Sequence, residues 1–292
     1  MNKRVIKYFG HLILFWMIFF SVDRLLFLIY NLDTSGLSFI QLIEPFWRSL
    51  RLDLSAACYL IIPPFLLWLI GLLIPLRSVG VLLKVYFCIL VPILVLGVVA
   101  SMEIYSEWGY KLNRDAIDYL KYPREFWASS LNSPLGLLLI IYSICTILFT
   151  KWGFHIAGKF QDFSYIASGL NGKKFINNVG IAITGFIVFA VCIRGGIQLA
   201  PINQSFAYYS NNPTLNATAV NTVWNLIYSY SREDHKNSYQ FFTADEIESK
   251  FGKSKQTYTN TSKIFSMQKP NVIMIVLEGV AAELEIDRTC PG

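Results

Sequence analysis

Residues 79–100 read Val79-Gly-Val-Leu-Leu-Lys-Val-Tyr-Phe-Cys-Ile-Leu-Val-Pro-Ile-Leu-Val-Leu-Gly-Val-Val-Ala100, with Lys84 as the one charge. A hydrocarbon core about 30 Å thick is crossed by a helix of about 20 mostly apolar residues, and this stretch is long enough. Residues 12–30, 54–76, 135–152 and 179–200 meet the same test. The fold class expected is therefore an α-helical polytopic membrane protein with five transmembrane helices over residues 1–200. Composition agrees: only 15% of the 292 residues are charged, against about 25% in soluble domains. Five cysteines are too few, and odd in number, for a disulfide scaffold. The net charge of +6, in so apolar a chain, reads as membrane orientation and not as a nucleic-acid surface. No glycine-rich nucleotide loop, paired CxxC or HExxH motif occurs.

Orientation follows from Lys and Arg placement. With the amino terminus in the cytoplasm, Lys3, Arg4, Lys7, Arg77, Lys84, Lys151, Lys159, Lys173 and Lys174 lie inside, and Arg48, Arg51, Lys111, Arg114, Lys121 and Arg124 lie outside. An odd number of spans then puts everything after about residue 200 outside the cytoplasm. The first span lacks a small-residue cleavage site and reads as a retained anchor. Pro63, Pro64 and Pro92 are expected to kink their helices, with neighbours satisfying the freed carbonyls.

Asp23 and Arg24 fall near the middle of the first expected span. A charge at that depth costs about 2.5–3.5 kcal/mol on insertion scales, so a partner or a wet cavity is required. Adjacent residues point about 100° apart on a helix, so at least one must be satisfied by another helix. Arg48, Arg51 and Asp53, in Trp47-Arg-Ser-Leu-Arg-Leu-Asp53, are candidate partners. Together with Arg194 they form either structural ion pairs or a cluster that binds a lipid phosphate. The loop 101–134 mixes aromatic and charged residues, as short helices at an interface do; it reads as an aromatic belt or as part of a lipid-headgroup site.

Residues 201–268 are rich in Asn, Ser, Thr and Tyr and read as an extracytoplasmic linker. Val220, Val223, Trp224 and Ile227 recur at helical spacing over 218–230, an amphipathic pattern. Thr243 followed by Glu246 is a capping-box signal for a second helix over Ala244–Phe251. In Lys269-Pro-Asn-Val-Ile-Met-Ile-Val-Leu-Glu-Gly279 the apolar run 272–277 is far too short to span and reads as a buried parallel strand. Glu278 stands at its carboxyl end, where open α/β sheets bind ligands and where a carboxylate suits a hard metal.

The stretch Pro270-Asn-Val-Ile-Met-Ile-Val-Leu-Glu278 resembles the opening strand of the alkaline phosphatase/sulfatase superfamily. It is most similar to the membrane branch that includes lipoteichoic acid synthases and phosphoglycerol transferases. Arg51-Leu-Asp-Leu-Ser55, Trp108-Gly-Tyr-Lys-Leu-Asn113 and the segment from Arg194 to Asn203 carry the same resemblance. It implies five spans, a surface linker and a sulfatase-like domain starting at 269–292, in the plasma (inner) membrane. It also implies transfer of phosphoglycerol or phosphoethanolamine from a phospholipid headgroup donor to a cell-envelope acceptor, through a phosphothreonine intermediate. A divalent metal, manganese by family habit, is the implied cofactor, with Glu278 at the position of its first ligand.

The nucleophilic Thr and the later Asp and His ligands of that family have no counterpart here. Thr289 is too close to Glu278, and His11, His155 and His235 all precede the strand. The expectation is a truncated catalytic domain and no activity from these 292 residues alone, with no catalytic residue assigned. The alternative expectation is a non-catalytic membrane scaffold or lipid-binding module, with membrane lipids as partners.

Overall fold

The computed structural model describes residues 2–31, 37–73, 79–131, 133–167, 172–231 and 242–251, all that follows concerning these. They form helices α1 (Asn2–Asn31), α2 (Phe39–Arg48), α3 (Leu50–Leu73), α4 (Val79–Trp108), α5 (Arg114–Asp118), α6 (Pro123–Ser130), α7 (Leu135–Ala167), α8 (Gly172–Arg194), α9 (Pro213–Ala219), α10 (Thr222–Ser231) and α11 (Ala244–Phe251). There is no strand among the described residues. The expected strand at 272–277 and Glu278 lie outside them. The protein is a helical multi-pass membrane protein. Four segments, Lys3–Asn31, Phe39–Gly71, Val79–Trp108 and Leu135–Lys159, are long and apolar enough to cross a membrane; the apolar stretch Val179–Arg194 of α8 is shorter.

Helices in lipid gain little by hiding apolar surface from one another, so close van der Waals packing must hold them together. The core is accordingly aromatic. Phe15 of α1 meets the rings of Phe87, Phe149 and Trp152 at 5.3, 5.8 and 4.9 Å, in edge-on geometry. Small residues allow this approach. Ala56, Ala57 and Cys58 of α3 are fully buried. Gly153 of α7 sits so near Phe87 that a Cβ there would come within 2.6 Å of the ring. We expect Gly153→Ala to cost about 1–3 kcal/mol through overpacking. Gly136→Ala on the same helix, where nothing lies within 4 Å, should be neutral or slightly stabilising. Thermal unfolding in detergent measures both, and equal melting temperatures would refute the packing argument.

Helices α3 and α4 run through Pro63, Pro64 and Pro92 without interruption. Pro64 cannot donate to the carbonyl of Leu60, four residues before it. The Tyr86 hydroxyl of α4 donates to that oxygen instead. A neighbouring helix thus supplies what the proline withholds.

The helices extend beyond the expected apolar runs, because polar residues continue a helix once its core is packed. α8 likewise begins before its expected run, at Gly172, but ends at Arg194, where that run continued to residue 200. Gly195 (φ 80°) and Gly196 (φ 127°) end it, taking up backbone conformations that side chains disfavour. The expected helix over 218–230 is two, α9 and α10, broken at Val220 and Asn221. α11 is capped as its sequence indicates. Glu246 accepts from the Thr243 backbone at 2.8 Å, and the Glu246 amide donates back to the Thr243 hydroxyl at 3.4 Å. It belongs to a separate unit, residues 234–292, from the one that holds α1–α10.

Candidate functional site

The break between α9 and α10 is the place where the polar connector after α8 meets the bundle. Any break leaves carbonyls unpaired at one helix end and N–H groups at the other. Out of water, each must find a partner. The connector finds them in the charged side chains of the bundle.

Asp23 of α1 faces the amino terminus of α10. Its carboxylate accepts from the Thr222 backbone N–H at 3.0 Å and from the Thr222 hydroxyl at 3.2 Å. The Asn221 side chain caps the same turn, accepting from the Trp224 amide at 2.7 Å. A carboxylate at a helix amino terminus also opposes the helix dipole. Arg24, on the adjacent face of α1, donates from Nη2 to both oxygens of Asp53 at 2.9 and 3.0 Å. Its Nε reaches the Thr218 carbonyl at the end of α9, at 3.2 Å. Asp53 of α3 further accepts from the Ser49 hydroxyl at 3.1 Å and from Asn221 Nδ2 at 2.9 Å.

Lys111 follows α4 and closes the site. Its ammonium donates to the Val220 carbonyl at 2.6 Å and stands 4.2 Å from the centroid of the Phe27 ring. Burial pushes its pKa down to about 8. Asp23 and Asp53 act in the opposite sense, and Arg24 adds to the lowering. All four ionisable groups are buried, and two positive charges balance two negative ones. The arrangement is a neutral polar joint that locks the connector onto α1, α3 and the end of α4.

The expected six-residue cluster is thus divided. Asp23, Arg24 and Asp53 share the joint. They lie in the last third of α1, not at mid-span, because that helix begins at Asn2. Arg48 turns to Glu44 on its own helix at 2.9 Å, an exposed pair. Arg51 donates to the Gly195 carbonyl at 2.6 Å and to the Gln198 side chain. Arg194 donates to the carbonyls of Gln198 and Leu199 at 3.2 and 2.7 Å. These two arginines hold the turn after α8, as does Ser55, whose hydroxyl donates to the Ile193 carbonyl at 2.7 Å.

Sequence reasoning missed Lys111, Asn221 and Thr222 as members of the joint. The signal was present for two of them: Asn221 followed by Thr-Val-Trp is a helix-start pattern. Lys111 gave none, since a lysine in an aromatic loop reads as an interface anchor. Among the described residues no three His, Cys, Asp or Glu side chains are grouped to hold a metal. No family model and no solved structure matches the chain.

Proposed function

We propose that the chain is the membrane anchor and connector of a sulfatase-type phospho-headgroup transferase, which moves phosphoglycerol or phosphoethanolamine from a lipid to a cell-envelope acceptor. Five spans place the amino terminus in the cytoplasm and the connector outside the plasma membrane. Helix α8, with 23 residues and a length of about 34 Å, serves as the fifth. A parallel strand at 272–277 opens the catalytic domain, and Glu278 at its tip is the first ligand of a divalent cation, manganese by family resemblance.

The observation that carries this reading is the joint. An enzyme that takes its headgroup from a bilayer must hold its reacting parts at a fixed height above that bilayer, because misplacement by an ångström costs rate. A flexible tether does not need buried charge. This connector is fixed by Asp23, Arg24, Asp53 and Lys111 together, at a desolvation cost that mere anchoring would not require.

The test uses native protein, captured from its own membranes with an antibody to the connector, and vesicles of phosphatidylglycerol and phosphatidylethanolamine. Manganese-dependent release of diacylglycerol is expected, falling roughly 100-fold or more in Glu278→Gln. Residues 1–292 expressed alone are expected to release none; native protein that also carries the family's nucleophile and later metal ligands and releases none, or a Glu278→Gln variant of it with full activity, would overturn the assignment.

A further inference from the structure

A cavity of about 420 Å³ opens between the carboxyl-terminal half of α4, the α5–α6 segment and the first turns of α7. Its walls change character along α4. Leu96 and Val99 face it first, then Glu103 one turn on and Glu107 one turn beyond, near the helix end at Trp108. Residues four apart share a helix face, so the apolar stretch and the two carboxylates form one continuous stripe. Across from it stand Leu138, which is buried, and Leu139, which is exposed. A site that is apolar over one part and charged over the next has the profile of a single lipid molecule, acyl chain beside head.

The charge decides which lipid. No Lys or Arg lines the cavity among the described residues. Lys121 is taken by Asp118 at 2.7 Å. Tyr30 donates its hydroxyl to Glu103 Oε2, which leaves Oε1 for another donor. Two carboxylates without a counter-charge repel a phosphate that stands alone and attract an ammonium. The rings of Trp108 and Tyr119, 5.7 Å apart and edge-on, border the same end and add attraction for a cation. A second cavity of about 570 Å³ among α1, α3 and α8 is lined by Val5, Phe65, Phe189 and like residues and by no ionisable group. Of these two, the first carries ionisable groups that can select a headgroup.

We propose that this cleft is a binding site for an amine-headed diacyl lipid of the phosphatidylethanolamine class. Its primary ammonium is held by Glu103 and Glu107, and an acyl chain lies against Leu96, Val99 and Leu138. The site is assigned to binding alone and stands independently of any transfer chemistry.

The test reconstitutes the full chain in nanodiscs of equimolar phosphatidylethanolamine, phosphatidylcholine and phosphatidylglycerol, then identifies by mass spectrometry the lipid that remains after detergent washing. Phosphatidylethanolamine should be enriched roughly fivefold or more over either competitor, because phosphatidylglycerol lacks the cation and the methylated ammonium of phosphatidylcholine has no N–H to donate to the carboxylates. Glu107→Gln should cut that enrichment severalfold, and with Glu103→Gln added it should vanish. Because Glu107 is exposed, its substitution leaves the packing alone, so the single variant is informative if the double one fails to fold. Leu139→Trp, which fills the cleft without touching the carboxylates, should expel the lipid as well. Preference for phosphatidylglycerol, equal retention of phosphatidylcholine, or enrichment that survives Glu107→Gln would each overturn the assignment.

Discussion

Asp53→Asn should destabilise the protein by about 3–5 kcal/mol, the cost of leaving one member of a buried ion pair without its partner. The side chain keeps its shape, so the loss reports charge and not volume. Arg24 is almost fully excluded from solvent and would retain only an amide oxygen, the Thr218 carbonyl and the face of Phe46, 5.5 Å from its guanidinium. The connector feels the change directly, since Asn221 also leans on Asp53. Protease sites in α9 and α10 should open along with the fall in melting temperature. Arg48→Ala is the control. It breaks a pair between side chains 51% and 29% exposed, and should cost less than about 1 kcal/mol. If Asp53→Asn behaves like Arg48→Ala, the joint does not hold the connector. A double variant, Arg24→Met with Asp53→Leu, should recover only the part due to the stranded charge, because the Thr218 carbonyl and the Asn221 amide lose their partners as well.

The legible part of this molecule was the part governed by solvent transfer. Apolar runs of spanning length announce themselves in any chain, and α1, α3, α4 and α7 all contain theirs. The capping box at Thr243 and Glu246 was legible for a similar reason: its cause lies within four residues. The charge pair was legible only as a debt. Asp23 and Arg24 had to be satisfied, but the groups that do so lie 199 and 194 residues away, in Thr222 and Thr218, and for Arg24 also in Asp53. Periodicity carries no such information. The same limit explains why Arg48, Arg51 and Arg194 read as one cluster with the joint. Sequence proximity to Asp53 does not reveal that Arg48 and Arg51 turn outward, the one to Glu44 and the other to the glycine turn after α8.

Lys111 should make the stability of the joint depend on pH in an unusual direction. In the unfolded chain its ammonium titrates near 10.5, and in the folded joint near 8, chiefly because burial disfavours the charge. Between these values the unfolded state holds a proton that the folded state has released. Protons then favour unfolding, so stability rises as pH increases from about 8 to about 10.5. Below about 8 the ammonium is charged in both states and the burial cost is borne in full; above about 10.5 it is absent. The difference between the two limits is about 3 kcal/mol, on the order of 5–10 °C in melting temperature. Other groups titrate in this window, the tyrosines among them, so the informative quantity is wild type minus Lys111→Met at each pH. Methionine fills similar space without a charge, and the difference should grow in favour of wild type as pH is raised. Lys111→Arg should lack the rise, because a guanidinium keeps its proton throughout. A difference that is flat from pH 7 to 10 would show that the ammonium keeps its proton in the folded joint, with Asp23 and Asp53 offsetting its burial in full, and would overturn the lowered pKa.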